Sequence, residues 1–129
     1  MIVADVLSKN QHLRILRIGY DSYKSQEVVN AIGAAIASQG GNPSQILKAV
    51  PRTYGAFTSP VESFELAVYR SPPSVVLCNN PILAYNFSNC YIDEDHNDNK
   101  KPLKRSANLK IDGAIATLMT FWLFNNTEQ

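Results

Sequence analysis

The sequence predicts an α/β domain with a mixed sheet, built on a parallel strand–helix–strand core and flanked by helices. Within residues 13–50 an apolar stretch, an amphipathic stretch and a second apolar stretch follow one another, and this order is typical of a βαβ unit whose two strands run parallel. The chain has 129 residues, of which 45% are hydrophobic and 18% are charged, so it can bury one hydrophobic core. We therefore expect a single domain over residues 1–129.

Four elements are predicted in the first part of the chain. They are the end of a short helix at 2–7, a strand at 13–20, a helix at 22–39 and a second strand at 46–50. The first strand is apolar and β-branched, and Asp21 follows it directly. The helix has apolar residues at helical spacing and is followed by Gly40 and Pro43, residue types that end helices.

The rest of the chain is predicted to alternate helices with short strands. The elements are a helix at 59–69, a strand at 75–78, a helical stretch at 80–87, an extended segment at 90–92, a charged loop at 93–108 and a helix at 109–124. Ser59-Pro-Val-Glu62 has the order of a capping box with proline at the first helical position. Asn80-Pro81 likewise opens a helix.

Composition and charge exclude several classes of protein. No apolar run approaches the ~18 residues that a membrane span needs, and the first residues lack the basic and apolar regions of a signal peptide. We therefore expect a cytoplasmic protein with no membrane partner, in which Cys78 and Cys90 are buried and reduced. The net charge of +1 gives no global sign of nucleic-acid binding, but the acids of residues 93–98 are followed by the bases of residues 100–110.

Two aspartates occupy positions that suit a metal site. Asp21 lies at the carboxyl end of a predicted parallel strand, where open α/β sheets place their ligands, and Asp112 enters the first turn of the last predicted helix. Their oxygens could share a hard divalent cation. Spacing alone leaves one alternative open for each residue: Asp21 caps the helix that follows it, and Asp112 complements the helix dipole.

Several other kinds of site do not match the sequence. The acidic run from Asp93 imitates an EF-hand loop, but its sixth position is Asp98 where glycine is required, and its twelfth is Lys104 where glutamate is required. The chain also has no Cys-x-x-Cys pair, no Gly-x-Ser-x-Gly elbow and no phosphate-binding loop. We therefore expect no site of these four kinds.

Several segments together resemble one family of phage proteins. Asn80-Pro-Ile-Leu-Ala-Tyr-Asn-Phe-Ser-Asn89 is followed by an acidic, asparagine-rich turn, by Lys101-Pro-Leu-Lys104 and by Lys110-Ile-Asp-Gly-Ala-Ile-Ala-Thr-Leu-Met119. In their order and spacing, these segments resemble the carboxyl-terminal part of tailed-phage terminase large subunits. Ile18-Gly-Tyr-Asp21 resembles the tyrosine-aspartate that the family has at a strand end. The similarity covers residues 3–124.

The resemblance implies an RNase H-like nuclease domain that cuts double-stranded DNA during genome packaging. It implies two Mg²⁺ or Mn²⁺ ions about 4 Å apart, with Asp21 and Asp112 as catalytic metal ligands, and it implies portal and small-subunit partners in the intact complex. Lys104 matches the family's hairpin lysine and is expected to contact DNA. An ordinary solvated loop is the favoured alternative for the other bases that could hold the DNA backbone, which are Lys100, Lys101, Arg105 and Lys110.

The chain departs from the family at its amino-terminal side. A complete domain begins with a strand that bears the first metal aspartate, followed by two antiparallel strands, and these should precede the helix at 2–7. We therefore expect a truncated RNase H-like domain, either a deliberately shortened chain or the product of a truncated prophage gene. The competing expectation is a catalytically inactive fragment that binds DNA or packaging partners without cutting.

In such a domain the Asp21 and Asp112 carboxylates should lie within about 4–8 Å of each other. Residues 93–105 should project as a mobile charged loop, because their four acids and four bases resist burial. The strand at 13–20 should expose an unpaired apolar edge, which favours a homodimer.

Overall fold

The computed structural model describes residue 5 and residues 8–23 and 25–127, and the chain divides into two compact units, Met1–Val50 and Pro51–Gln129. The first unit contains β1 (Ile18–Asp21), α1 (Gln26–Ser38), α2 (Pro43–Ile46) and β2 (Leu47–Val50). The second contains α3 (Tyr54–Tyr69), α4 (Pro81–Ser88), β3 (Cys90–Glu94), β4 (Lys100–Lys104) and α5 (Asp112–Asn125). In this described part, the strands form two two-stranded sheets where the sequence predicted one mixed sheet. None of these helices is long and apolar enough to cross a membrane.

β1 and β2 pair in parallel, as their strand–helix–strand order predicts. Ile18 lies opposite Leu47, and Asp21 lies opposite Val50, which is completely buried. The predicted end of α1 is also confirmed: the Gly41 N–H donates a 3.0 Å hydrogen bond to the Ile36 carbonyl. The predicted helix at 2–7 falls outside the described residues except for Asp5, which is helical.

β1 is shorter than the strand predicted at residues 13–20. Residues 13–17 have no regular structure, and Leu13 is 57% exposed. Ile18 pairs with Leu47, the first residue of β2. The residues before Leu47 form α2, so they cannot pair as a strand with residues 13–17. The strand expected to favour a homodimer is therefore only the four residues of β1, and the homodimer stays a prediction.

The core of the second unit lies where α3 packs against α5 and against β4. Asn80 caps α4 as predicted, since its side-chain oxygen accepts hydrogen bonds from the backbone N–H groups of Ile82 and Leu83. The buried apolar residues come from these packed elements and from the position just before α5, and they are Phe57, Pro60, Val61, Pro102, Ile111, Ala114, Ile115, Leu118 and Met119.

α3 begins earlier than the capping-box pattern predicts. Thr53 is the N-cap, and its hydroxyl accepts a 3.1 Å hydrogen bond from the Ala56 N–H. Ser59 and Pro60 therefore lie inside the helix rather than at its start. A proline inside a helix lacks one backbone donor, but Pro60 is fully buried, and this burial favours the longer helix.

The prediction of a strand at residues 75–78 is wrong. Within the described residues no strand pairs with this segment, and Val76 is 92% exposed, so the segment gains neither ladder hydrogen bonds nor burial.

Cys78 lies in this segment and is exposed, so the prediction that it is buried is wrong. Cys90 is half-buried, its thiol donates to the Phe87 carbonyl at 3.2 Å, and burial raises the pKa of this thiol. Neither cysteine forms a disulfide.

β3 and β4 form an antiparallel hairpin where the sequence predicted a mobile charged loop. Cys90 lies opposite Lys104 and Glu94 lies opposite Lys100. At the turn the Asp95 carboxylate accepts 2.9 Å hydrogen bonds from the backbone N–H groups of Asn97 and Asn99. The hairpin thus closes itself by local hydrogen bonds.

The hairpin is also held against α3, so the expectation that it projects from the core is wrong. The Lys100 N–H donates to the Thr58 hydroxyl at 2.8 Å, and the Tyr54 hydroxyl donates to the Asp93 carboxylate at 2.6 Å. Pro102, in the middle of β4, is fully buried. Lys101 is adjacent to Pro102 and therefore lies on the opposite face of the strand, and Lys104 at the end of the strand is exposed, so β4 packs through Pro102 without fully burying either ammonium group.

Tyr54→Phe tests the bond between α3 and β3. The hydrogen bond to Asp93 raises the pKa of Tyr54, so folding favours the neutral phenol. This contribution to stability is present below the ordinary tyrosine pKa of about 10 and is lost as the pH rises through the higher folded-state pKa. We expect the substitution to lower the urea midpoint at pH 8 and to lower it less above pH 11. An equal loss at both pH values would contradict the assignment.

Candidate functional site

Asp112 is the first residue of α5 and is exposed to solvent. The prediction that this carboxylate enters the first turn of the last helix is confirmed. The residue before it, Ile111, is 5% exposed and is anchored in the core. The position suits an anion, because the first backbone N–H groups of a helix have no partner within it and the helix dipole is positive at this end.

Two buried asparagines hold the turn on which Asp112 lies. Asn86 of α4 accepts a 2.8 Å hydrogen bond at Oδ1 from the Gly113 N–H. Asn89, the C-cap of α4, donates a 2.9 Å hydrogen bond from Nδ2 to the Lys110 carbonyl. The two side chains are only 6% and 5% exposed, respectively. Backbone groups on both sides of Asp112 are therefore tied to α4.

Asn89 also connects this turn to the end of the hairpin. The Arg105 N–H donates to the Asn89 carbonyl at 2.8 Å, and the Arg105 Nε donates to the Ser88 carbonyl at 3.0 Å. Lys104, the last residue of β4, lies opposite Cys90, which follows Asn89 in the chain. The structure thus brings Lys104, Arg105 and Lys110 around Asn89, and all three side chains are exposed.

The other two hairpin lysines are placed differently. Lys101 lies opposite Asp93 in the ladder, and its Nζ is 5.6 Å from the centroid of the Tyr54 ring. Lys100 is nearest the turn, and its Nζ lies 3.6 Å from a Glu62 carboxylate oxygen. Both side chains are half-buried.

Asp21 is the last residue of β1, as predicted, and it is partly buried. Its Oδ1 accepts a 3.0 Å hydrogen bond from the Tyr23 N–H, and its carbonyl accepts a hydrogen bond from the Ser25 hydroxyl. Ser25, not Asp21, is the N-cap of α1. The alternative that Asp21 caps the following helix is therefore wrong, although its carboxylate does close the turn that leads to it.

The ligand set for a metal is incomplete among the described residues. Asp21 and Asp112 provide carboxylate oxygens, which are the donors that Mg²⁺ and Mn²⁺ prefer. However, no group of three or more His, Cys, Asp or Glu side chains in the described ranges could hold a metal ion. The two aspartates belong to different compact units, and their short separation stays a prediction.

Asn86 and Asn89 are the site residues that sequence reasoning missed. Both lie in the segment Asn80–Asn89 that carries the family resemblance, but the local sequence pattern predicts no role for either side chain. A signal was present: Asn86 stands between Tyr85 and Phe87 in a helix that is otherwise apolar along this stretch. A polar side chain in such a place is retained when it has a hydrogen-bonding partner elsewhere in the fold.

Comparison with known proteins gives one family. A family model described as the terminase large subunit, endonuclease domain, matches residues 2–128, which is nearly the whole chain. Searches of curated proteins and of solved structures found no match.

Proposed function

Because the chain belongs to the family of terminase large subunit endonuclease domains, we propose that it forms part of the nuclease that cuts double-stranded DNA during genome packaging. The match over residues 2–128 is the observation on which this proposal rests. The arrangement around Asp112 supports this proposal. Asp112 is exposed, and hydrogen bonds of Asn89 connect the segment that precedes it to the basic end of the hairpin.

Asp21 and Asp112 are proposed as two ligands of the catalytic Mg²⁺ or Mn²⁺ ions. The chemistry that such ions would supply when bound is activation of a water molecule and stabilisation of the leaving oxygen of the cleaved strand. Asp112 suits this role because its carboxylate is exposed while its backbone neighbours are held. Asp21 suits it because it ends a parallel strand, where open α/β sheets bind ligands. The strand–helix–strand order of the first unit supports an RNase H-like fold.

Lys104, Arg105 and Lys110 are proposed to contact the DNA backbone. Each is exposed, and phosphate contacts are made by exposed lysine and arginine side chains. Lys101 is proposed as a weaker contact, because it is half-buried and its ammonium lies near the Tyr54 ring.

In the intact complex we propose the portal and the small terminase subunit as protein partners, in the cytoplasm of the host cell.

Lys104→Ala and Lys100→Ala form a matched pair that tests this surface. We expect Lys104→Ala to weaken DNA binding several-fold and to reduce the slope of log K against log salt by about 0.9, the value for one phosphate contact. Lys100→Ala should have little effect, because the Lys100 ammonium lies beside Glu62. Fluorescence anisotropy with a duplex at several salt concentrations measures both variants. Equal effects of the two substitutions on DNA binding would favour the alternative that these lysines belong to an ordinary solvated loop.

A catalytically inactive module that binds DNA or packaging partners is the second candidate function. It is favoured by the lack of a three-ligand metal cluster among the described residues. A plasmid-nicking assay of this chain and of a terminase large subunit that carries it as its nuclease domain, with Mn²⁺ and with added chelator, separates the two. The nuclease function requires cleavage that the chelator abolishes. Binding without cleavage in both proteins would establish the module instead.

A further inference from the structure

We propose that an apolar groove of the second unit docks a basic amphipathic helix of a partner protein. The groove lies between α3 and the hairpin, with α5 at its base. This docking site goes beyond the proposed function and does not depend on it, because the described residues that line the groove include neither aspartate nor any of the proposed DNA contacts.

The groove is a cavity of about 490 Å³. Pockets that bind ligands commonly have volumes of about 300–1,000 Å³, so several apolar side chains of a partner fit into it. Val61 and Val68 of α3 lie on one side, Ile92 of β3 lies on the other, and Ala114 and Leu118 of α5 close the base. Apolar groups therefore make up most of the surface that a partner would meet.

Packed aromatic rings hold one wall of the groove in place. Phe64 of α3 and Phe87 of α4 both line it, and their stacked rings have centroids 5.3 Å apart. Phe121 of α5 meets Phe64 edge-on at 5.5 Å. Three helices are thus fixed against one another beside the groove, so a partner would find the surface already formed and binding would cost less ordering entropy.

The apolar surface continues from the groove onto the outer face of α3. Leu66 is 72% exposed and Tyr69 is 81% exposed, and their spacing of three residues places them on the same face of the helix. Tyr69 also lines the groove. A small molecule would occupy the groove alone, whereas an apolar surface that extends onto an open helix face suits a polypeptide.

The charges at the groove indicate the chemistry of this polypeptide. Glu65 and Glu94 line the groove, and both are exposed. Lys100 also lines it, but the Lys100 ammonium lies 3.6 Å from a carboxylate oxygen of Glu62. The negative charge that remains opposes DNA phosphates and attracts lysine or arginine side chains. The bases proposed to contact DNA lie around Asn89, at the other end of the hairpin from Glu94.

A helix is the form of polypeptide that suits this surface. Glu62, Glu65, Leu66 and Tyr69 of α3 have the spacing i, i+3, i+4 and i+7, which is that of a single helix face. A second helix that packs on this face can place apolar side chains in the groove while basic side chains beside them reach Glu62 and Glu65.

The probe is a synthetic amphipathic peptide of about four helical turns, with leucines along one face and lysines beside them. Titrated into the isotope-labelled 129-residue chain, it should shift the backbone amide signals of Val68, Ile92 and Ala114 more than those of the first unit. A peptide with glutamates in place of the lysines should bind at least about tenfold more weakly, and this difference should shrink as salt is added.

Matched substitutions locate the binding surface. Tyr69→Ala and Ile92→Ala should each weaken binding of the lysine peptide about fivefold or more, as loss of an anchoring contact does. Tyr85→Ala and Ile82→Ala make the same changes on α4, at residues that are 53% and 71% exposed and do not line the groove, and they should leave binding unchanged. Fluorescence anisotropy measures the dissociation constants, and thermal melting verifies that each variant is folded.

A second pair of variants tests the charge. Glu65→Gln should weaken binding of the lysine peptide, whereas Glu27→Gln, the same change at an exposed glutamate of α1, should not.

Equal binding of the two peptides, or equal losses in Tyr69→Ala and Tyr85→Ala, would overturn the docking site. Amide shifts confined to residues outside the groove would overturn it as well. None of these measurements involves DNA cleavage, so failure of the docking site and failure of the proposed nuclease function are distinguishable.

Discussion

Asp112→Asn is expected to abolish DNA cleavage by a terminase large subunit that carries this domain, with a loss of at least about a hundredfold, while the protein remains folded. The substitution keeps the size of the side chain and removes only its charge. Asp112 is exposed, so the cost in stability should be limited to its interaction with the helix dipole, about 0.3–1 kcal/mol. Conversion of supercoiled plasmid in Mn²⁺ measures the cleavage, and thermal melting measures the stability.

Asp98→Asn is the matched control for this experiment. It makes the same chemical change at an exposed aspartate in the turn between β3 and β4. Asp98 has a φ of 60°, a conformation that asparagine adopts readily. The control should therefore cleave DNA like the unsubstituted protein. Full cleavage by Asp112→Asn would falsify the assignment of this residue as a metal ligand.

Phe57→Ala is expected to produce the largest loss of stability in the second unit, about 3–5 kcal/mol. Phe57 is 1% exposed and is among the largest fully buried side chains of the described residues. It lies on α3, which packs against both α5 and β4. Removing the ring would leave a cavity where these elements meet, and the surrounding segments are too constrained to close it fully.

Urea denaturation monitored by circular dichroism measures this loss. Phe124→Ala provides the comparison, since Phe124 is on α5 but is 67% exposed. We expect that variant to lose less than about 1 kcal/mol. A similar loss for the two variants would show that Phe57 is not the centre of the packing between α3 and its neighbours.

The helix boundaries show which sequence signals are sufficient by themselves. Asn80-Pro81 opens α4 as predicted, because an asparagine cap and a proline act through the adjacent backbone alone. Ser59-Pro-Val-Glu62 has an equally good local pattern and fails, because Thr53 caps the helix earlier and Pro60 is buried within it. Burial decides whether Pro60 begins a helix or lies inside one, and the local sequence pattern carries no information about burial.

The strands depend still more on partners that are distant in sequence. Residues 75–78 have suitable composition but no strand beside them in the described part of the chain. β3 and β4 have unfavourable charge and a proline, yet they pair because the Asp95 turn closes the hairpin and α3 holds it. Composition describes a strand's side chains, whereas a strand forms only where another backbone can complete its hydrogen bonds.

The candidate site was predictable in part. The sequence places Asp21 at a strand end and Asp112 in the first turn of a helix, and the structure confirms both positions. It does not reveal that Asn86 and Asn89 reach across to residues 110 and 113, because such bonds depend on how α4 and α5 pack. The distance between the two aspartates likewise depends on tertiary arrangement and not on spacing in the chain.

The bonds around Asp112 also have a consequence for the order of folding. Asn86 and Gly113 are 27 residues apart and Asn89 and Lys110 are 21 apart, whereas the bond from Asn125 to Ser59 spans 66 residues. Contacts that close shorter loops cost less entropy and form sooner. During refolding, the amide of Gly113 should therefore become protected from hydrogen exchange before the far end of α5 docks on α3. Synthesis on the ribosome would favour the same order, because Asn86, Asn89 and Gly113 all emerge before Asn125.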